Sequence, residues 1–119
     1  MSSDVQEAAG GSRIAWHRDG AVTVLQLDGE LDIASAPELS AAIARACDAG
    51  ARAVVLNMAG VGFLDSTGVR MLLEARSLAG RELVLMAPSR AVVWVLDLTC
   101  LRGRFAEIDA DADLATLQR

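Results

Sequence analysis

Residues 53–69 read AVVLNMAGVGFLDSTGV, and this stretch decides the fold of the chain. Residues 53–56 are apolar at every position and too few for a helix, which is typical of a buried parallel strand covered by helices on both faces. A helical pattern of apolar residues begins at about Ser66. Between the two, Gly60 and Gly62 favour a sharp turn of the backbone. The stretch therefore predicts a strand, a turn and a helix in succession.

The same alternation continues on both sides of this stretch. Two strand-like runs, residues 14–17 and 21–27, flank Arg18-Asp19-Gly20, whose Asp-Gly pair favours a tight hairpin turn with positive φ. Ser35 and Glu38 have the spacing of a capping box, which marks a helix start. The other predicted elements are strands over residues 83–86 and 105–108, and helices from Ser35 to about Gly50, from Ser89, and over residues 114–117. This order predicts a single layered α/β domain, with helices packed against a mixed β-sheet that opens with an N-terminal β-hairpin.

The first twelve residues differ in composition from the rest of the chain. They are small and polar and end in Gly10-Gly11-Ser12, so they bury too little apolar surface to order themselves. We therefore expect a flexible N-terminal tail over residues 1–12 and one domain over residues 13–119. A total of 119 residues is the usual size of a single domain.

Composition and charge limit the environment and the partners of the protein. The chain is 53% apolar, yet it has no apolar run of the roughly 18 residues that a membrane-spanning helix requires. Its start, Met1-Ser2-Ser3-Asp4, lacks the basic residues and the apolar stretch of a secretory signal. The formal net charge of -5 would repel a phosphate backbone, and no basic face offsets it. We expect a cytoplasmic protein that binds neither membranes nor nucleic acid.

The residue types that usually carry catalysis or bind metal are scattered along the chain. The single histidine, His17, has no serine or cysteine at a recognisable motif spacing, and Cys47 and Cys100 lie far apart. Residues 60–65 imitate a dinucleotide fingerprint, but Asp65 stands at the third glycine position, where it would repel pyrophosphate. We therefore expect no catalytic residues, no metal site and no cofactor, and a protein that is not an enzyme.

Two adjacent hydroxyls, those of Ser66 and Thr67, lie at a predicted helix start. The first N–H groups of a helix lack internal partners, and the helix dipole is positive there, so a phosphate group can be accommodated on such a hydroxyl. Gly68 would leave these hydroxyls uncovered by a large neighbour. The alternative is that Asp65, Ser66 or Thr67 is an ordinary N-cap, and the residue pattern alone leaves both interpretations open.

Four stretches of the sequence together resemble the anti-sigma factor antagonist family, the bacterial STAS domain. They are Gly29-Glu30-Leu31-Asp32-Ile33, Ala36-Pro37-Glu38-Leu39, Val54-Val55-Leu56-Asn57 and Phe63-Leu64-Asp65-Ser66-Thr67-Gly68-Val69. The resemblance covers about residues 13–117. A strand, an Asp-Ser-Thr-Gly segment and a helix in this order are far more specific than any of the short pieces.

The resemblance implies a phosphorylation switch. In that family the first hydroxyl after the aspartate is phosphorylated, which corresponds to Ser66 here, with Thr67 as the second candidate. Asp65 and Gly68 would flank the acceptor and Asp32 would lie near the same end of the sheet, so these five residues form the implied partner-binding site. The unphosphorylated protein would bind an anti-sigma factor with serine kinase activity and so free a sigma factor. Phosphorylation would break the complex, and a PP2C-type phosphatase would restore it.

Two other functions remain open from the sequence. A STAS module that binds a small ligand or nucleotide as a sensor would have a deep pocket with converging polar groups. A scaffold subunit of a stress-signalling complex would have a large apolar surface patch away from the helix start. Trp94, in the third predicted helix, is expected to fill the core, with an interface contact as the alternative.

Overall fold

The computed structural model of the protein describes residues 3–7, 12–77 and 82–117. The strands in this part of the chain are β1 (Ser3–Glu7), β2 (Arg13–Asp19), β3 (Val22–Leu31), β4 (Ala53–Asn57), β5 (Val61–Leu64), β6 (Glu82–Met86) and β7 (Ala106–Ile108). The helices are α1 (Ala36–Asp48), α2 (Ser66–Arg76) and α3 (Arg90–Leu98), with 3-10 helices over Arg102–Arg104 and Asp111–Leu117. None of the helices in the described ranges has the length and apolar character needed to cross a bilayer.

The strands form one mixed sheet. Its order is β1-β2-β3-β4-β6-β7, and β5 pairs with the second half of β3. The first three strands are antiparallel neighbours, whereas β3, β4, β6 and β7 are parallel. The predicted hairpin is confirmed, since Asp19 pairs with Val22 and Gly20 has a φ of 62°. The predicted α/β class and mixed sheet are confirmed as well.

The two faces of the sheet are covered by different elements. All three α-helices pack on one face, through Leu39 and Ile43 of α1, Leu72 of α2, and Val92 and Leu96 of α3. On the other face, buried valines of β3, β4 and β6 meet Leu114 of the last 3-10 helix. The strands are apolar on both sides for this reason. Helices therefore cover both faces of β4, as expected, but the helix on the second face is a 3-10 helix and not an α-helix.

Two parts of the predicted tail differ from the expectation of flexibility. Residues 3–7 form β1, which pairs with β2 because the edge of a sheet offers N–H and C=O groups that any extended segment can use. Ser12 is only 1% exposed. Its hydroxyl accepts a hydrogen bond from Glu30 N at 3.0 Å and donates one to Glu30 O at 2.9 Å. The rest of the predicted tail, residues 1–2 and 8–11, lies outside the described residues.

The Ser12 hydrogen bonds compensate for an irregularity in β3. Gly29 has a φ of 120°, and the register of the pairing between β3 and β5 shifts between Gly29 and Glu30. On the other side, β2 begins at Arg13 opposite Asp28, so its ladder does not reach Glu30. The Ser12 hydroxyl supplies the acceptor for Glu30 N and one of the donors to Glu30 O.

Replacing Ser12 with alanine is expected to destabilise the fold by about 1 kcal/mol, because the partly buried Glu30 N–H loses its acceptor, whereas Glu30 O keeps the hydrogen bond from the Ser35 hydroxyl. Urea denaturation of the Ser12→Ala variant measures this change in the free energy of unfolding. Ser40 is exposed on α1, so Ser40→Ala is the matched control and should not lower the midpoint, since alanine is a good helix former. Equal midpoints for the two variants would contradict the role given to Ser12.

Candidate functional site

The candidate site is built on β5, a strand that the sequence did not predict. The turn expected between β4 and α2 lies at residues 59–60, where Gly29 N donates to Gly60 O at 3.0 Å. After it, β5 runs parallel to the end of β3, and Leu64 pairs with Leu31. The next residues, Asp65 and Asp32, therefore leave neighbouring strands at the same edge of the sheet. The predicted proximity of Asp32 to the start of α2 agrees with this register.

Asp65 is the N-cap of α2. Its backbone is extended, with φ -107° and ψ -175°, and its carboxylate accepts a hydrogen bond from Gly68 N at 2.9 Å. Its carbonyl accepts from Val69 N at 3.0 Å, which is the first bond of the helix ladder. The sequence left Asp65, Ser66 and Thr67 as candidates for the N-cap, and Asp65 is the residue that caps the helix. The two hydroxyls that follow are therefore not needed for capping.

Removal of this cap is expected to cost about 1 kcal/mol, because one N–H of the first turn loses its acceptor. The change is Asp65→Ala, measured as a shift in the denaturation midpoint. Asp65→Asn keeps a capping oxygen and should retain most of the stability. The two variants also separate capping from charge, since asparagine preserves the cap and removes the carboxylate.

Ser66 is the first residue of α2 and is exposed, whereas Thr67 is partly buried. Neither side chain forms a hydrogen bond to any of the residues that the structure describes. The Ser66 hydroxyl is thus accessible and uncommitted, at the end of the helix where N–H groups lack internal acceptors. Of the two hydroxyls, that of Ser66 is the better placed to be modified.

Gly68 is buried, and its role differs from the one expected. A Cβ built on it would lie 2.6 Å from Leu31 O and 2.7 Å from Leu64 Cδ1. The glycine therefore lets the first turn of α2 approach the ends of β3 and β5 closely. It does not act by leaving the hydroxyls uncovered, since the missing side chain would point into the sheet. Gly68 thus fixes the position of the start of α2, and its place in the partner-binding site stays a prediction.

Asp32 organises the loop from β3 to α1. Its Oδ1 accepts hydrogen bonds from Ala34 N at 2.9 Å and Ser35 N at 3.1 Å. Ser35 is the N-cap of α1, as predicted, but its hydroxyl forms no capping hydrogen bond and donates to Glu30 O at 2.5 Å. The capping-box interpretation is wrong in this respect, because the buried hydroxyl bonds back to the end of β3. The Asp32 carboxylate is therefore fixed at the start of α1, in the loop that follows the strand next to β5.

Exposed apolar side chains lie near the site and on α3. Ile33 follows Asp32 and is 74% exposed, and Phe63 in β5 is 48% exposed. On α3, Trp94 is 66% exposed and Leu98 is 67% exposed. The expectation that Trp94 fills the core is wrong, since Val92 and Leu96 occupy the inward face of that helix.

No group of three or more His, Cys, Asp or Glu side chains that could hold a metal ion occurs in the described part of the chain. His17 is partly buried on β2, away from the start of α2. The chemistry available at the candidate site is that of a free serine hydroxyl beside two hydrogen-bonded carboxylates.

The fold and the site define a small α/β domain with a mixed sheet and an exposed hydroxyl at the start of its second helix. The model of the STAS domain family matches residues 13–115. The chain belongs to the STAS domain family. A search of curated proteins finds no match for it.

Solved structures of similar fold include several anti-sigma factor antagonists. An anti-sigma factor antagonist from Mycobacterium paratuberculosis is 24% identical, with a TM-score of 0.76, over 96% of this chain and 100% of that one. SpoIIAA, an anti-sigma factor antagonist, is 29% identical in its unphosphorylated form, with a TM-score of 0.66, over 87% of this chain and 92% of that one. The phosphorylated form of SpoIIAA, a Bacillus cell fate determinant, is 26% identical, with a TM-score of 0.63, over 87% of this chain and 96% of that one.

Proposed function

We propose that this protein is an anti-sigma factor antagonist controlled by phosphorylation of Ser66. Its unphosphorylated form binds an anti-sigma factor that has serine kinase activity, and a sigma factor is released. Phosphate on Ser66 prevents this binding, and a PP2C-type phosphatase removes it. The observation that carries the proposal is the exposed Ser66 hydroxyl at the first position of α2, in a domain of the STAS family.

Accessibility and the local backbone support Ser66 as the acceptor. A kinase supplies the catalytic base and the metal ions, so the acceptor needs only an exposed hydroxyl in a segment that fits the kinase cleft. Ser66 is exposed and Asp65 already caps the helix, so a phosphate displaces no hydrogen bond that the fold requires. The positive end of the helix dipole stabilises the added negative charge. The modified protein is therefore expected to remain folded.

The charges around Ser66 support an effect on binding. A phosphoserine adds about 1.5 to 2 negative charges at neutral pH. Asp65 precedes it directly, Asp32 lies at the end of the neighbouring strand, and the whole chain already has a net charge of -5. A partner docked over this edge would bury the new charge beside two carboxylates and would lose affinity. The exposed Ile33 and Phe63 give such a partner apolar surface at the same edge.

The relatives support the same function. Proteins of this fold are described as anti-sigma factor antagonists, and SpoIIAA is described in both an unphosphorylated and a phosphorylated form. The existence of both forms of SpoIIAA supports the view that a domain of this fold can carry the modification. We extend that behaviour to the present chain as part of the proposal.

The test is an in vitro phosphorylation with ATP and the anti-sigma kinases encoded by the same cell, followed by mass measurement and mapping of the modified peptide. We expect one phosphate per chain on Ser66, retained in Thr67→Ala and in Ser40→Ala and lost in Ser66→Ala. Ser40 is exposed on another helix and serves as the matched control. A phosphate that persists in Ser66→Ala contradicts the assignment. Tight binding without any phosphorylation would favour a scaffold subunit.

A further inference from the structure

A cavity of about 390 Å³ lies between α1 and the hairpin formed by β2 and β3. It is lined by Trp16 and Arg18 of β2, by Thr23 and Leu25 of β3, by Ala42, Arg45 and Ala46 of α1, and by Ala49, the C-cap of α1. It faces the first residues of β3, whereas the Ser66 site lies beyond the last ones. Along β3, which rises about 3.3 Å per residue, the cavity and the Ser66 site are separated by a distance on the order of 25 Å.

The cavity follows from the pairing of the strands and from the small residues of the helix. Trp16 pairs with Leu25 and Arg18 pairs with Thr23, so these four side chains share one face of the sheet. Opposite them, Ala42 and Ala46 of α1 and its C-cap Ala49 follow one another on successive turns. Alanine side chains are too short to fill the space that the long cross-strand pairs leave open.

The charged residues of the cavity have one sign. The chain has a net charge of -5, yet among the residues that the structure describes, the charged ones that line the cavity are two arginines, Arg18 and Arg45. Arg18 Nη1 donates to Ala49 O at 3.3 Å, which offsets the negative C-terminal end of α1. A guanidinium has five N–H donors, so this single bond leaves others for a ligand. The cavity therefore favours an anion.

Thr23 provides a second, independent indication of a ligand. It is only 3% exposed, and its hydroxyl has no hydrogen-bond partner among the residues that the structure describes. Buried hydroxyls in folded proteins are nearly always paired with a protein group or with ordered water, so the Thr23 hydroxyl has hydrogen-bonding capacity left for a ligand that displaces water. Thr23 lines the cavity next to Arg18, so an anionic group held by the arginine lies within the reach of the hydroxyl.

We propose that this cavity binds a small amphipathic carboxylate. The apolar body packs between Trp16, Leu25 and the alanines of α1, and the carboxylate is held by Arg18 and Arg45 with a hydrogen bond from Thr23. The volume is within the range of small-molecule sites, about 300–1,000 Å³. The site is remote from Ser66 and does not depend on the proposed switch.

Tryptophan fluorescence tests the proposal directly. The chain has two tryptophans and no tyrosine, so in a Trp94→Phe background Trp16 is the only reporter, and it lines the cavity. Titration with decanoate should change its emission in a saturable manner. The probe 1-decanol has the same chain without the charge and should bind about tenfold more weakly or worse. Arg45→Gln should weaken decanoate by a similar factor and leave 1-decanol unaffected.

Two substitutions of alanine by leucine on α1 provide a matched pair. Ala46→Leu fills the cavity and should abolish the decanoate signal, whereas Ala41→Leu lies on the exposed side of the same helix and should leave it unchanged. Arg45 is exposed, so its substitution is not expected to disturb folding. If circular dichroism shows that Ala46→Leu is unfolded, the decanoate affinity of Arg45→Gln provides the test instead. The absence of saturable decanoate binding, or equal affinity for decanoate and 1-decanol, would overturn the proposal.

Discussion

Replacing Ser66 with aspartate is expected to weaken binding to the anti-sigma factor by about tenfold to a hundredfold, or roughly 1.4–2.7 kcal/mol. The substitution places a negative charge at the exposed start of α2, beside the Asp65 carboxylate and at the same edge as Asp32. A docked partner would have to bury this charge with little compensation. Ser66→Ala removes the hydroxyl without adding charge, so its affinity should stay close to that of the unmodified protein.

The measurement is a titration of each purified variant with the anti-sigma factor, by calorimetry or fluorescence anisotropy. Ser40→Asp introduces the same charge on an exposed position of α1 and serves as the matched control. It should bind as tightly as the wild type. If Ser66→Asp and Ser40→Asp lose affinity equally, the effect comes from total charge, and the start of α2 is not the docking site.

Replacing Gly68 with alanine is expected to destabilise the protein by about 2–3 kcal/mol. In an open helix the same substitution would be stabilising by about 1 kcal/mol, because glycine is a poor helix former. Here the new methyl would lie 2.6 Å from Leu31 O and 2.7 Å from Leu64 Cδ1, closer than such atoms approach, and a backbone carbonyl cannot yield easily. The clash therefore outweighs the gain in helix propensity.

Urea denaturation of Gly68→Ala gives the change in the free energy of unfolding. Gly62→Ala is the control from the same site, since a Cβ at Gly62 would meet no atom within 4 Å. It should leave the stability nearly unchanged. A Gly68→Ala variant that is as stable as the wild type would mean that α2 does not approach the strands as closely as described.

The parts of the fold that could be predicted from the sequence are those defined by residues close together in the chain. The hairpin was predicted from Asp19-Gly20, and the start of α2 was predicted from the residues that follow β5. The buried strands were predicted from short apolar runs at residues 53–56 and 83–86. The last strand, β7, was also predicted, and it lies at the edge of the sheet. In each case the residues that define the element lie next to one another in the chain.

The elements that sequence reasoning missed depend on distant partners. β5 contains only four residues and pairs with the shifted end of β3, so nothing in its own composition identifies it. Ser12 is fixed by the backbone of Glu30, eighteen residues further along the chain. In α3, apolar residues occupy more than one face, and only the packing against the sheet shows that Val92 is inside and Trp94 outside.

The candidate site was predictable in location and less so in the role of each residue. The motif and the family resemblance placed Asp32 and residues 65–68 at one edge of the sheet, in agreement with the pairing of Leu31 and Leu64. The capping bond of Asp65 and the close packing of Gly68 depend on three-dimensional contacts that the motif does not contain. The phosphorylation of Ser66 and the identity of the partner remain proposals.

The most direct test of the central claim compares one preparation in two states. The protein is phosphorylated to completion on Ser66, titrated with the anti-sigma factor, then treated with a PP2C-type phosphatase and titrated again. We expect the phosphorylated protein to bind more than about a hundredfold more weakly, and the treated protein to recover its full affinity. Equal affinities before and after removal of the phosphate would contradict the account.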